Sequence, residues 1–340
     1  MKSPLPDPDN VTFQNVHPAP GDSRRELLAS LAQEQKLINP KYFYDERGSR
    51  LFERITRLPE YYPTRTEIDI LSRHREEISE YCEAGCILIE PGSGSCEKVR
   101  LLLDELRPSA YVPVDISAGM LHRAALQLGR EYPWLNVHAV CADFNQSWTF
   151  TEELREGKRV VFYPGSTIGN LEPQAAADFL ARVRDMVGDG GGALVGVDLH
   201  KSSERLNAAY NDAEGVTAEF NLNVLERVND LLDAEFDPEK FRHLAFYNRE
   251  QQRIEMHLVS ERAQSVRCNG SYIAFTEGES IHTESSYKYT VEGFTRLAAR
   301  VGLALQRSWL DEDELFSVHY LSATSIVVPC AETHPSTKSN

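Results

Sequence analysis

The 340-residue sequence is short of positive charge: 36 Lys and Arg face 52 Asp and Glu, for a formal net charge of −16. Non-specific nucleic-acid binding needs clustered basic residues to displace counterions, so no nucleic-acid partner is expected. The same field opposes attraction to anionic membranes. Long hydrophobic stretches are missing as well. Apolar runs such as Ile87–Ile89 fall far short of the ~20 residues that a membrane-spanning helix needs. The amino terminus, MKSPLPDPDNVTF, has no apolar h-region, so no secretory signal is expected. Cysteine is sparse: Cys82, Cys86, Cys96, Cys141, Cys268 and Cys330 are scattered without a disulfide framework. No second Cys or His pair stands at ligand spacing near Cys82 and Cys86. Reduced thiols, a cytoplasmic chain and no bound metal are therefore expected.

What is present is an ordinary globular composition, 41% hydrophobic and 26% charged. The length suits about two domains or one enlarged α/β domain. Residues 1–23, rich in Pro, Asp, Asn and Ser, read as a flexible lead-in, and 331–340 as a similar tail. Helical spacing appears over Arg24–Gln35, Gly48–Thr56 and Thr66–Tyr81, with an aromatic, proline-bounded loop at 58–63. From Cys86 onward short apolar strands (86–89, 111–114, 136–140, 159–163, 192–197) alternate with helical stretches (97–106, 118–132, 173–187). That alternation predicts a doubly wound, parallel α/β sheet with ligands at the carboxyl ends of its strands. After Leu199 the rhythm stops. A helix over Ser202–Asp233 and strands at Arg253–Ser260 and Ser271–Phe275 follow, before helix–strand alternation resumes at Val291.

Chemistry-bearing residues recur at the expected strand ends. Gly92 and Gly94 follow the first strand and allow a tight turn against a ligand. The third glycine of a dinucleotide fingerprint is missing, because Glu97 stands in its place. An acid there suits a cofactor without phosphates better than a pyrophosphate. Asp115 ends the second strand, where a carboxylate can accept both ribose hydroxyls or simply cap the next helix. Asp143 and Phe144 end the third strand, as an acid and an apolar wall for an adenine or as an ordinary turn. Asn170, in the PGSTIGNL run after the fourth strand, offers an amide to an amino acid's amino and carboxylate groups, or caps a turn. Glu284 and Ser286 alternate along one strand and so share a face with each other and with His282. A carboxylate and a hydroxyl suit the two nitrogens of an imidazole. Taken alone, Glu284 is as readily a solvated acid, and Tyr44, Tyr61 and Tyr210 core or rim aromatics.

Several runs together carry a specific resemblance: YFYDERGSRLF (42–52), ITRLPEYYPT (55–64), PGSTIGNL (164–171), NDAEGVTAEFNLN (211–223), IEM (254–256) and HTESSYKY (282–289). Over residues 24–328 the chain resembles the L-histidine Nα-methyltransferases of ergothioneine biosynthesis. The resemblance implies a class I methyltransferase fold, mostly parallel with an antiparallel C-terminal strand, and a second, substrate-binding α+β domain. The first would comprise 64–200 and 288–330, the second 24–63 and 201–287. It further implies S-adenosylmethionine as cofactor and three methyl transfers to the α-amine of histidine, giving hercynine. Carried over residue by residue, Tyr61, Asn170 and Tyr210 would hold the amino and carboxylate groups. Tyr44 would lie beside the amine, with Tyr44 and Asn170 as the catalytic residues. Glu284 and Ser286 would bond the imidazole, and Met256 would line its pocket. Gly92, Lys98, Asp115, Asp143 and Phe144 would hold the cofactor. Pro91 departs from the pattern, where a residue such as Leu is expected.

The expected partner is a small molecule, L-histidine, and the chain is expected to be a monomer. Two other readings stay open: methylation of another aromatic amino acid such as tryptophan, and a non-catalytic protein that binds S-adenosylmethionine. An NAD-dependent oxidoreductase is opposed by the missing glycine.

Overall fold

The computed structural model describes residues 7–16, 20–143 and 156–324. In chain order the elements are β1 (Val11–Asn15), α1 (Pro20–Leu31), β2 (Lys36–Leu37), α2 (Glu46–Ile55), α3 (Tyr62–Arg73), α4 (Arg75–Cys82) and β3 (Ile87–Pro91). They continue with α5 (Arg100–Leu106), β4 (Ala110–Asp115), α6 (Ala118–Glu131), β5 (Asn136–Cys141), β6 (Arg159–Tyr163), α7 (Pro173–Val187) and β7 (Gly192–Asp198). Next are α8 (Ser203–Tyr210), α9 (Val216–Leu232), β8 (Phe241–Asn248), β9 (Arg253–Ser260), β10 (Gln264–Cys268), β11 (Ser271–Phe275) and β12 (Ser280–Tyr287). The last three are α10 (Val291–Ala299), β13 (Leu303–Leu310) and β14 (Phe316–Ala323).

Eight strands form one sheet in the order β1-β5-β4-β3-β6-β7-β14-β13. The first six run parallel, and β14 alone opposes its neighbours β7 and β13. This is the doubly wound sheet with an antiparallel C-terminal strand that was expected. Strands β3, β4 and β7 are buried at every position, which is why they read as continuous apolar runs. Leu71, Leu102, Leu121 and Leu128 of α3, α5 and α6 cover one face. Phe179, Leu180 and Phe294 of α7 and α10 cover the other. Strand order reverses between β3 and β6, so a crevice opens at the carboxyl ends of these strands.

A separate core is built by α1, α2, α8, α9 and the four-stranded sheet β2-β12-β9-β8. Phe43 stacks on Phe220 at 4.6 Å, and Asp45 caps α2 by accepting from the Gly48 amide at 2.6 Å. Asn223 of α9 donates to the same carboxylate at 3.0 Å and so ties the two helices.

Four expectations change. Residues 11–15, placed in a flexible lead-in, are an edge strand parallel to β5, anchored by Asn10 donating to three carbonyls of 129–135. The helix expected over 66–81 breaks at His74 into α3 and α4. The helix expected over 202–233 breaks between Tyr210 and Val216, where the Asp212 carboxylate accepts the Val216 and Thr217 amides, each at 2.8 Å. Strand β8 was not anticipated, since its sequence FRHLAFYN shows no clean alternation, and its burial shows none either. No described helix is long and apolar enough to cross a membrane.

Candidate functional site

The crevice starts at the turn after β3. Gly92 and Gly94 have φ of 70° and 53°, which glycine adopts without strain. Asp115, at the end of β4, accepts the Gly94 amide at 2.9 Å through Oδ2 and the Ser117 amide at 2.8 Å through Oδ1. A carboxylate has about four acceptor positions, so roughly two remain for a vicinal diol. Burial raises its pKa, and the backbone donors oppose that rise. Asp143 is buried at the end of β5, with Lys41 Nζ at 3.5 Å. Phe144 lies outside the described residues. This donor set fits S-adenosylmethionine: a diol acceptor, a second buried acid, and a glycine turn with no requirement for phosphate.

Lys98, expected at the cofactor, is held by Glu67 of α3 at 2.5 Å. Glu67 also accepts the Gly165 amide, at 2.9 Å to each oxygen, and is 1% exposed. Nearby, Glu90 of β3 is fully enclosed and accepts from Tyr111 Oη at 2.5 Å. Burial pushes its pKa up to about 8. Neither Glu67 nor Glu90 was picked out from sequence.

The second core brings the tyrosines over this crevice. Ser117 Oγ donates to the Tyr44 carbonyl at 3.3 Å, joining the segment before α2 to the end of β4. Tyr61 and Tyr210 rings meet edge-on at 6.2 Å, and Phe52 bridges Tyr44 and Tyr61. Burial raises the pKa of all three phenols, and the Glu284 charge raises them further. They are neutral hydrogen-bonding groups at ordinary pH, not phenolate bases.

Glu284 and Ser286 share a face of β12, and Met256 of β9 lies directly opposite Glu284 in register. Glu284 is 9% exposed, and no described residue donates a hydrogen bond to its carboxylate. Burial pushes its pKa up to about 7, with Lys288 pulling the other way. His282 does not share this face. A β-bulge between His282 and Glu284 puts His282 opposite His257 and Glu284 opposite Met256, hence on opposite sides of the sheet. The extra residue reverses the simple alternation, so the expected shared face of His282 and Glu284 is corrected.

Asn170 sits in a short 3-10 turn, Thr167–Asn170, packed against β12. Its side chain has no hydrogen bond to another described residue. A Cβ on Gly169 would lie 2.7 Å from the Tyr287 carbonyl oxygen, so only glycine allows this approach. Gly169→Ala should lower kcat/KM for the amino-acid substrate by about tenfold through displacement of Asn170. S-adenosylhomocysteine affinity should stay unchanged, and calorimetry beside steady-state kinetics checks both.

Behind Ser286 lies a buried ionic group that sequence reasoning missed. Asp198, ending β7, accepts from Lys288 Nζ at 2.7 Å, from Lys201 Nζ at 2.6 Å and from Tyr62 Oη at 2.8 Å. Burial alone would raise the Asp198 pKa, but the two lysines bring it below the ordinary carboxylate value. Burial lowers Lys201 to about 8. The signal for Asp198 was present: like Asp115, it is an acid closing an apolar strand.

On the far side of β9 and β12, Glu255, His257 and His282 place ligand-type atoms within 4.8 Å of one another. The two imidazoles stack at 4.7 Å and 14°, so their in-plane lone pairs run side by side and do not converge on one ion. Arg253 already holds Glu255 at 2.8 Å. The group is a hydrogen-bonded network.

Residues 23–323 match the model of a family described as histidine-specific methyltransferase, SAM-dependent. The chain belongs to this family. It is 43% identical over 294 residues to the histidine N-alpha-methyltransferase of Mycolicibacterium smegmatis, covering 85% of this chain and 91% of that one. It is 31% identical over 299 residues to ergothioneine biosynthesis protein 1 of Neurospora crassa, covering 82% of this chain and 32% of that protein. A 4-dimethylallyltryptophan N-methyltransferase of Claviceps purpurea is 26% identical over 316 residues, covering 84% of this chain and 91% of that one. The S-adenosylmethionine dependence of this family agrees with the crevice described above, where the buried Asp115 carboxylate closes β4 beside the Gly92–Gly94 turn.

Proposed function

We propose that the chain transfers methyl groups from S-adenosylmethionine to the α-amine of L-histidine, three in succession, giving hercynine. The observation that carries this reading is Glu284, a buried carboxylate to which no described residue donates a hydrogen bond, beside Ser286 and opposite Met256. A buried acid lacking its partner is costly, and an imidazole N–H supplies that partner.

In this reading Asp115 and Asp143 hold the cofactor's ribose and adenine ends, with Gly92 at the turn. Lys98 lies at the same site, fixed by Glu67, which also accepts the Gly165 amide. S-adenosylmethionine, when bound, supplies an electrophilic methyl group. The chain's own work is placement. Tyr61, Asn170 and Tyr210 hold the amino acid's amino and carboxylate groups, and Tyr44 sits beside the amine. The amine must be unprotonated to react. Because the phenols stay neutral, its proton leaves to water or to a neighbouring oxygen, and no strong base is needed. Holding amine and methyl donor in line turns a bimolecular step into an effectively unimolecular one. Each methylation removes an amine donor and adds bulk, which the space next to Tyr44 must accept. In this reading residues 64–200 and 288–330 bind the cofactor, with β1 added at the edge of their sheet, residues 24–63 and 201–287 bind the amino acid, and the chain acts as a monomer.

The test is mass spectrometry of reactions with S-adenosylmethionine and each of the twenty amino acids. Histidine is expected to gain three methyl groups and to dominate. Trimethyltryptophan as main product would favour the other aromatic reading, and tight cofactor binding without any methylated product would favour a binding protein.

A further inference from the structure

Asn170 ends the Thr167–Asn170 turn, and Glu172 stands two residues on, where α7 begins. Glu172 is the N-cap residue of that helix, yet its side chain makes no capping hydrogen bond. Its carboxylate instead reaches across to β9 and β12. Arg253 Nη1 donates to Glu172 Oε1 at 2.6 Å and to Tyr287 Oη at 2.6 Å, and Tyr287 Oη donates to Glu172 Oε2. Arginine only donates and a carboxylate only accepts, so the Tyr287 hydroxyl between them has a single arrangement. Burial and the bond to Glu172 push the Tyr287 pKa up to about 12, so that hydroxyl keeps its proton at ordinary pH. Arg253 and Tyr287 are direct cross-strand partners, with the guanidinium 5.2 Å from the ring centre. Arg253 Nε also donates to Glu255 at 2.8 Å, and Glu255 is held by Asn248 at 3.0 Å and His257 at 3.1 Å. The network on the far side of β9 and β12 therefore ends on Glu172.

Tyr287 is thus gripped twice by one short segment: its carbonyl meets Gly169, and its hydroxyl meets Glu172. Asn170 lies between these two anchors. Tyr287 also ends β12, the strand that carries Glu284. We infer that Glu172, clasped by Arg253 and Tyr287, is a positioning residue that fixes Asn170 at a set distance from Glu284, and so makes the length of the substrate's side chain a condition for reaction. This inference rests on the histidine reading above, in which Asn170 holds the head group and Glu284 the ring. It adds that the span between them is set outside the pocket, by groups on the far side of β9 and β12. A ring carried on one more methylene meets Glu284 only by moving its head group off Asn170, out of line with the methyl donor.

The test compares L-histidine with homohistidine, which carries one more methylene between the α-carbon and the ring. Initial rates of S-adenosylhomocysteine release by the full-length chain should favour histidine by about 100-fold in kcat/KM. Glu172→Ala should lower kcat/KM for histidine about tenfold and shrink that ratio at least about tenfold. The Glu172 side chain is 60% exposed and makes no capping bond, so its loss should leave the fold intact. The Gly165 amide stays on Glu67, so S-adenosylhomocysteine affinity measured by calorimetry should not change. Glu172→Asp keeps the charge and suits a helix N-cap, but its carboxylate falls one methylene short of Arg253. That variant should melt no lower than the parent and still lose selectivity. In an Asn170→Ala background Glu172→Ala should have little further effect on histidine, because its influence passes through Asn170. An unchanged ratio in Glu172→Ala, with both substrates slowed together or not at all, would overturn the inference. So would homohistidine reacting as well as histidine with the unaltered chain. Failure of histidine to be methylated at all would instead sink the proposed function, so the two failures are distinguishable.

Discussion

Glu284→Gln is expected to lower kcat/KM for histidine by about 10- to 100-fold, the cost of one charge-assisted hydrogen bond. The same change should stabilise the ligand-free protein at pH 8. Burial puts the Glu284 pKa at about 7 in the folded chain, against an ordinary value of 4.5. The folded state therefore binds more protons than the unfolded state between these values, and stability falls as pH rises through that window. Above it, the difference amounts to about 3 kcal/mol, since each pKa unit is worth about 1.4 kcal/mol. Glutamine has no charge to bury, so the variant should melt higher than the parent at pH 8 and match it near pH 4.5. Glu90, pushed up to about 8, adds a fall of the same sign that the variant retains. Thermal melts at both pH values check the claim. A variant no more stable than the parent at pH 8 would mean that Glu284 already has a partner.

Glu67→Ala is expected to destabilise the protein by about 3–5 kcal/mol, the usual cost of breaking a buried ion pair from one side. Glu67 is 1% exposed and serves both Lys98 and the Gly165 amide. Its removal strands a largely buried ammonium and a half-buried N–H together. Glu67→Ala/Lys98→Met should recover much of the loss, because removing both charges leaves no unpaired ion. Urea unfolding of the three proteins tests this, and a single-variant loss under about 1 kcal/mol would contradict it.

Much of the sheet was legible because β3, β4 and β7 are buried on both faces and leave unbroken apolar runs in the sequence. The strand ends announced their acids, Asp115 closing β4 and Asp143 following β5, and Asp198 at the end of β7 carries that signal too. The helix break at His74 was hidden because apolar spacing continues across it from Leu71 to Ile78, whereas the break at 211–215 was signalled by Asp212 and Gly215, a cap and a turn residue inside an otherwise helical stretch. The β-bulge in β12 was not legible either. One inserted residue moves His282 to the other face while the sequence still reads as strict alternation. Pairing was the least visible property. Glu67 meets Lys98, and Asp198 meets Lys288, only because the topology brings α3 onto the β3 turn and the end of β12 onto β7.

The orientation of histidine is the centre of the account: ring toward Glu284, amine toward the cofactor crevice. It is tested most directly by letting the enzyme consume S-adenosylmethionine carrying a 13C-labelled methyl group, with L-histidine, and recording the product's 13C NMR spectrum. One resonance, from three equivalent methyls on the α-nitrogen, is expected. A labelled methyl on either ring nitrogen would contradict it.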